Sequence, residues 1–412
     1  MFTQEFSRRA ALYLACGSAV AVLFSIAVCH TLLAMSLAAL LLSGERLRLP
    51  PIKLPLALFV ALTLLSVALS SDPAAGRPQI RKFFVFLALP VMFSLLRRVE
   101  QAARLVQVWV GVAMVSAAKS LFQFYNKLEE SRSLGWNFYQ HYIADRTTGF
   151  MSHWMTFGGQ MMIVLALLAA FLFFSPLRRR ALWFWLLCAA VIGLALFLNF
   201  TRGIWLAAFV AGLYLLWFWR KPFVLIVPAA LALAVWFGPG SVRARFDSFL
   251  HPSGELDSNL HRVVTWRTGL RMIRAHPWFG LGPEVVNLKF KDYLPPDAPK
   301  PLPSGWYGHL HNVYLQYAAE RGVPTLLVLL WLVGKILWDF LGVLRRLPAG
   351  LDDRRFLLHG AVAAVVGVLI TGFFEYNLGD SEVLLMFLVA VSMGYTARQA
   401  VEKPECDSEP RP

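Results

Sequence analysis

The 412-residue chain contains few cysteines and few charged residues. Charged side chains form 15% of it, with 24 acidic residues against 39 basic ones. Three of the four cysteines lie in apolar segments, and the fourth lies near the C-terminal end. Their spacing is typical of neither a metal site nor a set of disulfide bonds. The sequence therefore predicts no cysteine-ligated metal and no disulfide framework.

Several short motifs are also missing. The chain has no Walker motif, no GxGxxG, no HExxH and no paired-carboxylate pattern. These absences disfavour a cytosolic enzyme driven by nucleotide hydrolysis, and we predict neither a metal nor a cofactor. The net charge of +15 would suit nucleic acid, but the basic residues lie mostly in short connectors between apolar segments. That distribution is typical of membrane proteins, so nucleic acid is not a predicted partner.

Long apolar segments are what the chain has in abundance. Hydrophobic residues form 58% of it. About 20 apolar residues suffice to cross a bilayer as a helix, whereas a β-barrel would show short alternating segments. We therefore predict an all-α polytopic membrane protein in contact with membrane lipids. The twelve predicted spans are residues 10–27, 29–43, 54–71, 80–96, 104–125, 151–174, 181–198, 202–219, 222–238, 312–340, 356–376 and 382–397.

The connectors between these spans predict how the chain is oriented. Basic residues follow spans 2, 4, 6, 8 and 10, which places all five connectors on the same side together with both termini. Cytoplasmic connectors carry an excess of Lys and Arg, so this side is predicted to be cytoplasmic. The basic residues are Arg46, Arg48 and Lys53; Arg97, Arg98 and Arg104; Arg178, Arg179 and Arg180; Arg220 and Lys221; and Arg345, Arg346, Arg354 and Arg355.

The twelve predicted spans divide the chain into four parts. Residues 1–238 hold nine transmembrane helices, and residues 239–311 form one large outer loop that contains helices. Residues 312–397 hold three more transmembrane helices, and residues 398–412 form a cytoplasmic tail. Within the outer loop, residues 259–275 are predicted to form a helix. The polar residues that are hardest to explain structurally all fall on the outer side.

Two arginines on that side are candidate site residues. Arg202 opens a predicted helix, where the helix dipole disfavours a cation, so it requires an anionic partner. A lipid headgroup and a bound phosphate both meet that need. Arg262 shares a helical stripe with the apolar Trp266 and Leu270, and an arginine turned inward is costly unless paired. An interfacial amphipathic helix with snorkelling arginines is the alternative for this segment.

His311 lies at the start of a long apolar helix, in the stretch HLHNVYLQYAAERG. Read at helical spacing, His311, Leu315 and Gly322 share one face. The positive end of a helix favours a neutral imidazole, as a general base requires, although a lone histidine at a membrane interface is more often structural. Two arginines able to hold phosphates and a base on one side of a membrane favour a catalytic site. Position alone adds four further outer-side residues, Arg77, Arg81, Arg146 and Glu375.

With these residues the chain resembles the O-antigen ligase and polymerase family of bacterial membrane glycosyltransferases. The similarity extends from about residue 150 to residue 380 in motifs. The motif ending at Gly322 is the most specific, because it fits the ligase pattern H-[NSQ]-x-x-L followed by a glycine. The motifs are TRG at residues 201–203, Arg262 with Trp266 and PWFGLG at residues 277–282, and HNVYL at residues 311–315 with Gly322.

The resemblance implies a GT-C-like protein in the inner membrane of a Gram-negative bacterium, with the large loop in the periplasm. It implies transfer of a glycan from undecaprenyl diphosphate to the lipid A–core acceptor, without a metal and with inversion. By this similarity, Arg202 and Arg262 bind the diphosphate and stabilise its leaving charge, and His311 accepts the acceptor's proton. Asn312, next to His311 in the motif, joins the substrate-binding residues together with Arg77, Arg81, Arg146 and Glu375.

Three alternatives remain open. An O-antigen polymerase or a periplasmic protein O-oligosaccharyltransferase would use the same donor with another acceptor. A lipid or sugar transporter would show an internal repeat of broken helices and charges along a path at the midplane. No clear repeat is visible, and the unusual charges gather on one side, which favours the transferase.

Overall fold

The computed structural model describes residues 2–176, 179–237, 240, 243 and 258–402, and throughout these residues the regular structure is helical, with no strand. The described residues include three short 3₁₀ segments, at Lys221–Leu225, Phe290–Tyr293 and Asn377–Gly379. The α-helices are α1 Phe2–Ala21, α2 Ile26–Leu42, α3 Lys53–Ala68, α4 Arg77–Phe86, α5 Ala88–Leu95, α6 Val99–Ser133, α7 Phe138–Ala144, α8 Trp154–Phe174, α9 Arg179–Leu198, α10 Arg202–Trp219, α11 Ile226–Phe237, α12 Ser258–Ala275, α13 Val285–Lys289, α14 Val313–Leu344, α15 Asp353–Gly372 and α16 Ser381–Glu402.

Eight helical segments in the described part of the chain are long and apolar enough to cross a membrane. They correspond to predicted spans 4–8 and 10–12, with α4 and α5 together forming span 4. The predicted spans 1, 2, 3 and 9 correspond to helices that are shorter or less apolar. The all-helical polytopic architecture is thus confirmed, and the count of twelve stays a prediction.

Two predicted boundaries can be compared with the helices. The helix predicted over residues 259–275 is present as α12. Helix α16 continues to Glu402, beyond the predicted start of the tail at residue 398. The junction predicted at residues 238–239, the basic residue Arg178 and the tail from residue 403 lie outside the described residues.

The centre of the bundle is formed by α8, α15 and α16, which pack against one another. Small residues allow this close approach. Gly360 of α15 faces α8 so closely that an added Cβ would lie 2.8 Å from the Leu167 side chain. Close contact through small residues is a common way for membrane helices to associate.

Helix α14 is broken at Gly322, which has φ 84° and ψ 161°, and Pro324 follows within the same helix. The break exposes backbone groups that the segment 277–282 then pairs. The N–H groups of Leu281 and Gly282 donate to the carbonyls of Ala319 and Glu320, each at 2.9 Å. The predicted face that joins His311 to Gly322 is therefore wrong, because one residue precedes the helix and the other interrupts it.

Helices α12 and α13 and the following loop form a layer beside one end of the bundle. A small apolar cluster holds this layer together, and it includes Val264 and Met272 of α12 and Leu310 just before the His311 turn. Helix α12 also packs against α14. This packing brings the outer-loop helix and the start of α14 together, which positions the candidate site.

Candidate active site

A cavity of about 910 Å³ lies where several helix ends meet. Its lining includes the first turns of α8 and α10, the residues around His311 before α14, and the segment between α15 and α16. Helix N-terminal ends carry partial positive charge and free N–H groups, so they favour a bound anion. Arg146, Arg202 and Arg262 add three cationic side chains to the same lining.

Glu375 lies between two of the predicted catalytic residues. Its Oε1 is 2.9 Å from Nη2 of Arg262, and its Oε2 is 3.6 Å from Nδ1 of His311. Burial raises the pKa of the Glu375 carboxyl, but the contact with His311 and the charge of Arg262 outweigh burial and hold that pKa below its usual value. The carboxylate is therefore ionised at neutral pH and joins the arginine to the histidine.

His311 has a left-handed backbone with φ 50°, which is uncommon for a residue with a side chain. Such a conformation costs about 1–2 kcal/mol and persists only where the surroundings impose it. Its backbone N–H donates to Nδ1 of His309 at 3.1 Å, and its Nε2 lies 3.0 Å from the carbonyl oxygen of Trp306. Both ring nitrogens of His311 therefore face oxygen atoms, one on Trp306 and one on Glu375.

Three more histidines line the cavity. The ring centroids of His309 and His261 lie 4.1 and 5.0 Å from that of His311. The pKa of His309 is lowered to about 3 and that of His261 to about 4. Burial is the main cause in both, and the nearby His311 acts in the same direction. Burial also lowers the pKa of His153. These three imidazoles are neutral at pH 7 and act as packing and hydrogen-bonding groups around His311.

Arg202 and Arg146 form a second cationic group of the lining. Arg202 is the first residue of α10 and is 6% exposed, and its Nη2 donates to Oδ1 of Asn259 at 2.8 Å. Arg146 donates to Oγ1 of Thr201 at 3.2 Å, and its guanidinium lies over the Trp154 ring. Both side chains are buried and aligned by neighbours from other elements, so the positive charge of this wall is held in place.

The arginines of helix α12 lie in different surroundings. Arg262 turns inward to Glu375, whereas Arg267 is exposed and pairs with Asp297 at 2.8 Å. Arg262, which its helical stripe predicts to turn toward the protein or the membrane, thus turns toward the protein. The site thus combines residues far apart in sequence, because Arg202 begins α10, Arg262 lies in α12 and His311 lies in the turn before α14.

Three predicted substrate-binding residues do not line the cavity. Asn312 is buried and caps α14, with its Oδ1 accepting from the Leu315 N–H at 3.0 Å and its Nδ2 donating to the Phe373 carbonyl at 3.1 Å. Arg77 and Arg81 are exposed on α4 and lie outside the lining. The structure thus assembles His311, Arg202, Arg262, Arg146 and Glu375, and leaves Asn312, Arg77 and Arg81 outside.

Sequence reasoning missed Glu284 in the lining, and it noted Lys82 and Asp380 as outer-side polar residues without selecting them for the site. One of them carries an unusual backbone. Within the described residues, the non-glycine residues with positive φ are Phe200, Glu284 and His311. Glu284 and His311 line the cavity, and Phe200 directly precedes Thr201, which also lines it. No periodicity marks Glu284, and the only hint is its place at the end of the Gly- and Pro-rich segment. Over those same residues, no cluster of three or more His, Cys, Asp or Glu side chains is arranged to hold a metal ion.

These features define a multi-pass helical membrane protein with an arginine-lined cavity at one end of its bundle. A family model described as O-antigen ligase matches residues 187–330, which include Arg202, Arg262 and His311. Over residues 187–330 the chain is thus similar to the O-antigen ligase family, in agreement with the resemblance drawn from the motifs. The match supports an activity of the ligase and polymerase type. A comparison with curated proteins gave no match.

Proposed function

We propose that this protein is a glycosyltransferase that joins a glycan from an undecaprenyl-diphosphate carrier to lipid A–core, as an O-antigen ligase does. The observation that carries the proposal is the bridge from Arg262 through Glu375 to His311 in a cavity with two further buried arginines. A base beside fixed positive charge is what the attack of a hydroxyl on a phosphate-activated sugar requires.

The arginines bind the diphosphate of the donor. Guanidinium groups match phosphate oxygens in a bidentate manner, and the helix ends at the cavity add partial positive charge. When the sugar–phosphate bond breaks, the leaving diphosphate gains negative charge, and Arg202 and Arg262 stabilise it. Arg146, which is held against Thr201 beside Arg202, extends the same cationic wall. The activated donor supplies the free energy, so no nucleotide is consumed.

His311 accepts the proton of the acceptor hydroxyl. With Nδ1–H directed at Glu375, Nε2 carries the lone pair, and the incoming hydroxyl takes the place of the Trp306 carbonyl beside it. The acceptor oxygen then bonds to the anomeric carbon while the bond from that carbon to the phosphate oxygen breaks on the opposite face. The acceptor's proton ends on His311, and the undecaprenyl diphosphate leaves. A single displacement of this kind inverts the anomeric configuration and requires no metal.

The proposal includes the orientation predicted from the sequence. Twelve GT-C-like spans would cross the inner membrane of a Gram-negative bacterium, with both termini in the cytoplasm and the cavity open to the periplasm. The basic connectors support that orientation. The lipid-linked donor and lipid A–core would then both be available at the outer leaflet, where the cavity lies.

A reconstituted transfer assay tests the proposal. Purified protein receives an undecaprenyl-diphosphate glycan together with lipid A–core, and the products are separated by size. A ligase attaches glycan to lipid A–core, whereas a polymerase lengthens the lipid-linked glycan and leaves lipid A–core unchanged. The family match is compatible with both. Lengthening without attachment, or no transfer by protein that binds the donor, would refute the ligase assignment.

A further inference from the structure

Two charged side chains of the cavity have no part in the proposed reaction. Glu284 and Lys82 both belong to its lining, and their side chains are 38% and 25% exposed. Nζ of Lys82 lies 4.0 Å from Oε1 of Glu284 and donates to the carbonyl oxygen of Gly379 at 2.8 Å. The pair is therefore accessible from the cavity and is anchored next to the segment that carries Glu375.

The orientation of Glu284 is imposed by buried neighbours. Its φ is 66°, in the left-handed region that residues with side chains rarely adopt. Its N–H donates to Oε1 of the buried Glu320 at 3.0 Å, and its carboxylate accepts a hydrogen bond from Nε2 of Gln79. Residues held in sparsely populated backbone conformations cluster at functional sites. The position of this carboxylate is thus built into the fold.

The buried carboxylate that holds Glu284 also holds the segment of His311. Nε2 of Gln316 donates to Oε1 of Glu320 at 2.9 Å, and the N–H of Leu310 donates to Oε1 of Gln316 at 2.8 Å. The N–H of Glu284 is therefore hydrogen-bonded directly to Oε1 of Glu320. Leu310, the residue before His311, is linked to the same oxygen atom through Gln316. This network links the backbone at Glu284 to the turn that carries His311, and both side chains line the same cavity.

The chemistry of the pair indicates what it binds. A carboxylate repels a diphosphate, so the phosphates belong at the arginines and not at Glu284. A carboxylate accepts hydrogen bonds from sugar hydroxyls, and a lysine ammonium donates to sugar oxygens. We propose that Glu284 and Lys82 form a subsite that binds hydroxyl groups of the acceptor sugar beside His311. This inference rests on the proposed transfer reaction and adds the site of the acceptor.

Steady-state transfer kinetics test the subsite, with the concentrations of lipid A–core and of the lipid-linked donor varied separately. Glu284→Gln removes the charge, and Glu284→Gly removes the side chain while suiting the left-handed backbone. Lys82→Gln tests the partner independently. We expect each variant to raise the KM for lipid A–core about tenfold, which corresponds to about 1.4 kcal/mol, and to leave the KM for the donor within about twofold.

Asp297→Asn is the matched control, because Asp297 is an exposed carboxylate of the same outer layer that pairs with Arg267 away from the cavity. It should leave both KM values unchanged. If the Glu284 and Lys82 variants lower only the thermal stability, or raise both KM values equally, the acceptor subsite is overturned. Absence of transfer by the wild type would instead refute the proposed function, so the two failures are distinguishable.

Discussion

Glu375 and Arg262 are 113 positions apart in the chain, yet their side chains meet at 2.9 Å. The same carboxylate lies 3.6 Å from His311, so one buried acid organises both the cation and the base of the candidate site. Buried charges are stable only when they are paired, and the Glu375 carboxylate is paired with the Arg262 guanidinium. The experiments below probe that arrangement.

Replacement of Arg262 should remove a charge that stabilises the leaving diphosphate. We expect Arg262→Ala to lower the transfer rate by about 100-fold or more, and Arg262→Lys to restore little of it, because an ammonium does not match phosphate in a bidentate manner. Arg267→Ala, on the exposed side of the same helix, should retain near wild-type transfer. Comparable losses in Arg262→Ala and Arg267→Ala would show that the loss arises from the helix and not from the site.

Glu375 should contribute to stability in a pH-dependent way. Its pKa is lower in the folded protein than its ordinary value, so its ionised form stabilises the fold above the unfolded pKa of about 4.3, and that contribution is lost as the pH falls through the folded pKa. The difference in thermal unfolding temperature between wild type and Glu375→Gln should therefore shrink on acidification below about pH 4.3. A difference that stays constant across that window would contradict the lowered pKa.

Gly322 should be required for folding. An added Cβ would overlap the backbone carbonyl of Trp278, and φ is 84°, so Gly322→Ala combines a clash with backbone strain. We expect a loss of at least about 2 kcal/mol in the free energy of unfolding. Gly334→Ala in the same helix is the control, because no atom lies within 4 Å of its added Cβ, and it should be neutral or slightly stabilising. Equal stability of the two variants would refute the close contact between Gly322 and the backbone of Trp278 at the helix break.

Asn312 should act as a helix cap and not as a contact to substrate. Asn312→Ala is expected to cost about 1 kcal/mol of stability and to slow transfer through displacement of the adjacent His311, without changing the KM for the donor. Asn312→Ser keeps a capping oxygen without placing a carboxylate against the Phe373 carbonyl, so it should recover part of the stability that Asn312→Ala loses. A raised donor KM in both variants would return Asn312 to the substrate-binding residues.

The comparison of sequence and structure shows which physical signals are local. The helical stripe that Arg262 shares with Trp266 predicts its direction, and Arg262 does reach the buried Glu375, although Leu270 on the same stripe is exposed. His311, Arg202 and Arg262 were identifiable because each lies in a motif. The membrane-spanning helices followed from apolar length, which is a property of consecutive residues.

Other features depend on contacts between distant segments and could not be read from the chain. Gly322 fits a helical pattern, and only the approach of Trp278 shows that the helix must break there. Glu284 has no distinguishing neighbour in sequence, since its orientation arises from Gln79 and Glu320. Glu375 stood out only by its position on the outer side. Its role as the bridge depends on two partners from other parts of the chain.

The most direct test of the account is the transfer rate of His311→Ala beside that of the wild type, with chelator present and lipid A–core as acceptor. His276→Ala is the matched control, because His276 is exposed and bonded to Tyr293 away from the cavity. The account predicts that wild type and His276→Ala attach glycan to lipid A–core while His311→Ala, folded and able to bind the donor, does not. Undiminished transfer by His311→Ala would contradict the assignment of His311 as the base.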